Sequence, residues 1–255
     1  MHVVLGVDDN PVYRFYLPMT VKIWQAFNVE PLVFHVSDTP VELDCEVVPV
    51  KPNPNWPTAW QAKASRLTLS CVRDMEDGFH LLSDVDMWPL RIDWLDWRHR
   101  NRGNLFHWGG NLHSKKVICY MGGTVFEWRW LSKIDGQGDP GTPEDHIAWI
   151  IPFQQAINED PTGRFSDETV LTRWSHMYGQ TILSFVRPMV DGGGPPADRI
   201  DRSNWDAPEP RNPWDAHLPH DGWNHIPRLL DLFGRVCPDE VDWARNWMEN
   251  FECPT

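Results

Sequence analysis

The chain opens with an apolar run, His2-Val3-Val4-Leu5-Gly6-Val7, that stops at Asp8-Asp9-Asn10-Pro11 and gives way at once to an amphipathic stretch. That order constrains the fold more than any other feature. A short apolar run bounded by turn residues reads as a buried β-strand. Phe15, Met19, Ile23 and Phe27 then recur at four-residue spacing, which reads as a helix over 13–27 whose first turn is limited by Pro18. A second strand is expected over 31–36 and a shorter third over 41–50, where apolar residues alternate, followed by a Pro/Asn-rich loop over 51–57. Residues 58–75 have helical composition without Gly or Pro, and 79–83 form another apolar run that ends at Asp84-Val85-Asp86. Strands alternating with helices imply an α/β fold, with a parallel sheet that binds ligands at the carboxyl ends of its strands.

Further along, 117–120 reads as a strand leading into Gly122-Gly123, and 125–131 as a helix or an extended hydrophobic ridge. Residues 167–177 read as a helix opened by Asp167-Glu168, with Ser166 as its N-cap. The texture then changes. Residues 187–227 carry Gly192-Gly193-Gly194-Pro195-Pro196 and further prolines, so they are expected to cross back over the site as a loop-rich segment rather than form a domain. Two short helices, over 225–234 and 239–251, close the chain. A length of 255 residues without internal repeat fits one domain.

Hydrophobic residues at 41% and charged residues at 23% exclude a wholly disordered chain, a collagen and a coiled coil. The net charge of −13, with no basic run, repels a nucleic-acid backbone on average, so nucleic acid is not an expected partner. Five scattered cysteines (Cys45, Cys71, Cys119, Cys237, Cys253) without a Cys-x-x-Cys pair argue against a disulfide framework and a zinc cluster, and fit a reducing compartment. The first apolar run is too short for a signal peptide, and no stretch approaches the roughly 20 apolar residues of a membrane span. The expected location is the cytoplasm of the cell or of an infected host. Among the 16 tryptophans, Trp94, Trp97, Trp108, Trp128 and Trp130 cluster; core packing is the default for each, while together they suit a platform for a sugar face.

The strongest chemical signal is Leu81-Leu82-Ser83-Asp84-Val85-Asp86-Met87-Trp88-Pro89-Leu90. Two carboxylates at i and i+2 after a buried strand can grip one divalent cation that in turn binds a diphosphate. Hard oxygen ligands suit Mn²⁺ or Mg²⁺. A bare Asp-x-Asp is usually an ordinary acidic turn; the strand before it and the Met-Trp-Pro-Leu after it favour the metal.

On these residues the chain resembles the GT-A-fold glycosyltransferases, and most of all the small single-domain enzymes of large DNA viruses, phages and some bacteria. The resemblance runs from the first strand through Phe233 and rests on the order and spacing of Val7-Asp8, Ser83-Asp84-Val85-Asp86, Met121-Gly122-Gly123, Ser166-Asp167-Glu168 and Asp215-Ala216-His217-Leu218-Pro219. It implies a Rossmann-like, mixed but mostly parallel sheet flanked by helices. A nucleotide-sugar-binding half would span 1–120, an acceptor and catalytic half 121–186, and a loop-rich segment closing the site 187–255. It also implies that Val7, Asp8, Arg66, Asp84 and Val85 meet the nucleotide, that Asp84 and Asp86 hold the metal, and that His217, ahead of His220, completes the metal shell, with Trp205 and Asp201-Arg202 upstream helping to fold the segment over the donor. Each has a plain alternative: a strand cap for Asp8, a solvated charge for Arg66, a structural histidine for His217.

Gly122 and Gly123 allow close approach of a sugar or acceptor, or simply a tight turn. An inverting transfer needs a carboxylate base near the acceptor hydroxyl. Asp167, then Glu168, stands where such transferases carry that base, with Glu144-Asp145 as a rival pair; for both pairs the alternative is acidic charge at a helix N-terminus. The expected activity is metal-dependent, inverting transfer of a sugar from a nucleoside-diphosphate donor, UDP-sugars first, to a hydroxyl of a glycan or glycoconjugate. The rivals are a retaining transferase or nucleotidyltransferase on the same fold, and a non-catalytic carbohydrate-binding module.

Overall fold

In the computed structural model, β1 (His2–Asp8) is the centre of the molecule, with β2 (Glu30–Val36) and β4 (Phe79–Leu82) pairing in parallel on its two sides. The structure describes residues 1–72, 78–93, 105–109, 118–124, 127–128, 141–157, 167–177, 182–186 and 196–252. A strand covered on both faces must be apolar nearly throughout. Val3, Leu5 and Val7 accordingly pack into one core, and Val4 into the other. Gly6 is required by the close approach of the next helix, since a Cβ there would lie 2.0 Å from the Ala62 carbonyl oxygen.

Helix α1 (Pro11–Ala26) starts two residues before the apolar period implies. Asn10 caps it by accepting the Val12 N–H at 3.0 Å, and Pro11 stands at its first position, where no N–H bond is lost. Pro18 therefore lies inside the helix and does not limit its first turn. Of the expected third strand over 41–50, only Glu46–Val50 pairs, as β3. The alternation of Leu43 and Cys45 serves packing against the α1 core instead.

The expected long helix over 58–75 is α2 (Thr58–Ser65) followed by a 3₁₀ helix, Arg66–Cys71. The cause is local. Ser65 Oγ donates to the Ala62 carbonyl at 2.8 Å and Thr68 Oγ1 to the Ser65 carbonyl at 2.6 Å, and such hydroxyl bonds compete with the α-helical ladder.

The main sheet has seven strands in the order β3-β2-β1-β4-β7-β6-β8, where β6 is Leu105–Gly109, β7 Ile118–Thr124 and β8 Ile182–Val186. Strand β7 runs antiparallel to both neighbours, and the other pairings are parallel. Gly122 and Gly123 are not in a turn after this strand, as expected, but inside it, opposite Leu81 and His80. A Cβ on Gly122 would sit 2.4 Å from the Phe79 ring, so this glycine makes room for a core aromatic.

After Asp86 the chain enters a second sheet, in the order β5-β10-β9, made of β5 (Met87–Pro89), β9 (Arg199–Asp201) and β10 (Asp215–His217). The segment expected to be loop-rich thus contributes two strands, tied by a buried two-pronged Arg199–Asp215 ion pair with both N–O distances 2.9 Å. Helix α1 packs on one face of the main sheet with α5 (Ile226–Val236) and α6 (Val241–Asn250). Helix α2 packs on the other with α3 (Pro143–Ile157) and α4 (Asp167–Met177).

Trp24, Trp88, Trp128 and Trp174 are fully buried, in keeping with packing. Most of the expected element over 125–131, Trp94, Trp97, Trp130, the Trp108 side chain, Ser166 and the Gly192–Gly194 run lie outside the described residues. Among the described residues no helix is long and apolar enough to cross a membrane.

His146 is fully buried on α3, stacked on Trp149 at 5.9 Å and Trp174 at 6.5 Å, and burial pushes its pKa down to about 4. The unfolded chain binds this proton below about pH 6.5 while the folded protein does not, so stability falls as the pH drops through that window. In urea unfolding, the wild type is expected to lose about 1 kcal/mol more than His146→Gln between roughly pH 7.5 and 5.5. Equal losses would mean that His146 does not titrate this way.

Candidate active site

Strand β1 continues to β2 on one side, while β4 enters on the other, so the crevice between the carboxyl ends of β1 and β4 is the topological switch point of the sheet. Asp8 ends β1 and Asp84-Val85-Asp86 follows β4, which brings three carboxylates from two distant stretches of sequence to one crevice.

Asp8 is buried. One oxygen accepts the Thr58 hydroxyl at 2.8 Å and the other the Asn10 N–H at 3.2 Å, so it joins the starts of α1 and α2 while facing the crevice. The Asp-x-Asp turn is fixed from beneath. Trp88 Nε1 donates to Thr20 Oγ1 at 2.8 Å, and that hydroxyl donates to the Val85 carbonyl at 2.7 Å. From the far side, the Leu218 N–H donates to the Asp86 carbonyl at 2.8 Å.

Arg66, at the start of the 3₁₀ turn, closes the floor. Its NH1 donates to the Ser83 carbonyl at 2.8 Å and to Asp84 Oδ1 at 2.5 Å. Nε donates to Asp167 Oδ2 at 2.6 Å, and NH2 contacts the same oxygen. Asp167, the first residue of α4, is buried. Burial works against the charge on Arg66, but Asp167 and then Asp84 outweigh it and hold the guanidinium protonated.

Asp86 faces the C-terminal segment. Its Oδ2 lies 2.9 Å from Arg202 NH1 and 3.6 Å from His217 Nε2, while His217 Nδ1 sits 3.2 Å from Asp201 Oδ2. Asp201 is itself held by the Ser203 N–H at 2.9 Å and the Ser203 hydroxyl at 2.7 Å. Burial opposes a charge on His217, but hydrogen bonds to Asp201 and Asp86 overcome it and raise its pKa to about 9. Burial, reinforced by Asp86 and Asp84, raises the Tyr13 hydroxyl at the rim to about 12.

Asp8, Tyr13, Arg66, Asp84, Asp86, Asp167, Arg202 and His217 line a cavity of about 370 Å³. The structure brings together Val7, Asp8, Arg66, Asp84, Val85, Asp86, Asp167 and His217 of the residues expected from sequence. Gly122 and Gly123 are not among the lining residues, and the Glu168 side chain lies outside the described residues. Glu144 instead accepts the Lys51 N–H at 3.0 Å, and Asp145 the Thr142 hydroxyl at 2.9 Å, so this pair serves the start of α3. His220 meets Arg202 at 2.5 Å, and His225 lies 3.5 Å from Asp221.

Sequence reasoning missed Tyr13 and Lys63 as lining residues, and it expected Arg202 to help fold the segment over the donor without naming its partner. Lys63 was readable, since it precedes Arg66 by three residues and shares its helix face. Arg202 offered only its place beside Asp201 in the segment expected to fold over the site.

The donor set fits a hard or borderline divalent cation. With Nδ1 against Asp201, His217 turns Nε2 towards Asp86, the carboxylate–histidine relay that orients a metal-binding imidazole, and a cation there would take the place of the Nε2 proton. Asp84 is turned onto Arg66, and among the described residues no three acidic, His or Cys side chains already converge as a ligand set. Asp86 and His217 face one another, and Asp84, with one oxygen on Arg66, lines the same cavity.

No protein-family model and no curated protein matches the sequence. Solved structures do match. An active-site mutant of LgtC aligns with a TM-score of 0.51 at 13% identity, over 86% of this chain and 87% of that one. The glycosyltransferase GlyE of Streptococcus pneumoniae TIGR4 aligns with a TM-score of 0.54 at 12% identity, over 99% of this chain and 64% of that one. A further structure, of galactosyltransferase LgtC with donor and acceptor sugar analogs, aligns over 100% and 98% at 13% identity, with a TM-score of 0.48. At such identities the likeness is one of fold. That fold is the mixed α/β, mainly parallel arrangement of the GT-A glycosyltransferases.

Replacing Arg66 by alanine would leave Asp84 and Asp167 facing each other without their shared cation. Breaking such a pair typically costs about 3 kcal/mol or more, which in a domain of this size corresponds to a fall of roughly 6–12 °C in Tm. A fall of less than about 2 °C in a calorimetric scan would show that the clamp adds little to stability.

Proposed function

We propose that the protein transfers a glycosyl group from a nucleoside-diphosphate sugar, a UDP-sugar first, to a hydroxyl of a glycan or glycoconjugate. One observation carries the reading: Asp8 from the end of β1, Asp84 and Asp86 from the turn after β4, and His217 from the C-terminal segment meet at the switch-point cavity, with Lys63 and Arg66 in the same wall. The fold shared with LgtC and GlyE supports it.

In this reading the nucleobase and ribose lie towards Asp8 and Tyr13, and the diphosphate lies towards Lys63 and the acidic turn. Asp86 and His217, together with Asp84, would hold a Mn²⁺ or Mg²⁺ ion. When bound, the cation supplies positive charge to the departing diphosphate. Lys63 adds a second positive charge where negative charge develops, and the fixed backbone beneath Val85 keeps the turn from yielding.

The stereochemical part is a single inverting displacement. The acceptor oxygen forms its bond to the anomeric carbon as the bond to the diphosphate breaks, and Asp167 takes the hydroxyl proton. The Arg66 contact favours a second reading of this residue, in which Asp167 positions the guanidinium and does not act as base.

Two measurements test the proposal. UDP with Mn²⁺ is expected to raise the Tm of the wild type, because a ligand of the native state stabilises it, and Asp86→Ala should lose the metal-dependent part. No shift with any nucleoside diphosphate would sink the transferase reading. For Asp167→Asn, a base role predicts a fall in kcat of roughly 10²–10⁴ at unchanged donor KM. A pure positioning role predicts a raised donor KM with a smaller loss in kcat.

A further inference from the structure

Arg202 makes a close contact to Asp86 that the mechanism above does not account for. Its NH1 lies 2.9 Å from Asp86 Oδ2, the same oxygen that His217 Nε2 approaches at 3.6 Å. The Asp86 side chain is only 5% exposed, while that of Arg202 is 35% exposed. The carboxylate is therefore fixed and the guanidinium is the partner with room to move.

The backbone under Arg202 is firm. Asp201 Oδ1 accepts the Ser203 N–H, and the Asp201 N–H donates to Asn204 Oδ1 at 3.2 Å, a reciprocal cap on the short helical turn that carries residue 202. Motion is thus confined to a long side chain.

A divalent cation ligated by Asp86 and His217 has to come within bonding distance of the oxygen between them. That puts a double positive charge within about 4 Å of the guanidinium, where repulsion is far larger than one hydrogen bond returns. Arg202 must then leave Asp86. It lines the same cavity as Lys63, so a diphosphate there offers its planar fork a two-pronged partner that a carboxylate already coordinated to metal does not.

We propose that Arg202 and the divalent cation compete for Asp86, and that a bound diphosphate resolves the competition by taking the guanidinium. The inference rests on the donor-site reading above and adds to it a residue that makes cation and donor bind cooperatively. The cation alone binds weakly, because it takes Asp86 from Arg202 and leaves the guanidinium, among the described residues, only its contact with the His220 ring, which carries no negative charge. Together with a nucleoside diphosphate it binds well.

The test is calorimetric titration of Mn²⁺ into the protein alone, and of UDP into protein saturated with Mn²⁺, for wild type, Arg202→Gln and Arg202→Lys. Arg202→Gln is expected to bind Mn²⁺ about tenfold more tightly than wild type and UDP about tenfold more weakly, within the range usual for coupled sites. Arg202→Lys keeps the charge but not the fork, so its Mn²⁺ affinity stays near that of wild type while UDP affinity falls. Melting curves check that each variant is folded; if Arg202→Gln is not, the UDP titration of Arg202→Lys decides. Unchanged Mn²⁺ and UDP affinities in the variants, with a wild type that binds both, would overturn the role of Arg202 alone. A wild type that binds neither would overturn the donor-site reading and this inference with it.

Discussion

The guanidinium of Arg66 is the contact around which the site is organised. Asp8, Asp84, Asp86 and Asp167 all open onto one cavity of a protein whose net charge is −13. Carboxylates gathered in this way repel one another and lose hydration, and only cations built in among them make the arrangement tolerable. Arg66 does this for two of the four, and through the Ser83 carbonyl it also holds the end of β4. Its planar fork lets one residue at the α2 terminus join the sheet to α4, a span that the single point charge of a lysine would not bridge with the same set of bonds.

The two aspartates of the Asp-x-Asp turn consequently have different characters. Asp84 meets Arg66 and shares that cation with Asp167. Asp86 faces the second sheet, where its partners are the imidazole of His217 and the guanidinium of Arg202. Between them, the Val85 carbonyl is pinned by Thr20, so the turn cannot trade one orientation for the other. A backbone held this firmly leaves adjustment to side chains, which is the division of labour expected of a site organised before its ligand arrives.

Much of this architecture was legible because local signals and tertiary demands agreed. The first strand, the acidic turn after β4 and the helix Asp167–Met177 all announce themselves by short apolar runs or acidic helix starts. The errors came where side chains overrode the pattern. Ser65 and Thr68 tighten the helix that composition alone extends to residue 75, and Leu43 and Cys45 alternate for packing instead of pairing. Gly122 looks like a turn glycine in sequence, but its cause is the ring of Phe79 on the neighbouring strand, a residue more than forty positions away. The partner of Arg202 was illegible for a related reason: it is Asp86, 116 residues upstream, and nothing next to Arg202 in sequence reveals it.

The pairing of β5 with β10 has a consequence for how the protein comes into being. During synthesis the acidic turn, the first helix and the parallel strands β1 to β4 emerge early, yet Asp86 meets His217 and the Leu218 N–H only when the chain beyond residue 218 is free to fold back. Contacts of such sequence separation form late, since a long loop must be closed first. A nascent chain therefore carries an incomplete cavity and closes it only as one of the last events of folding.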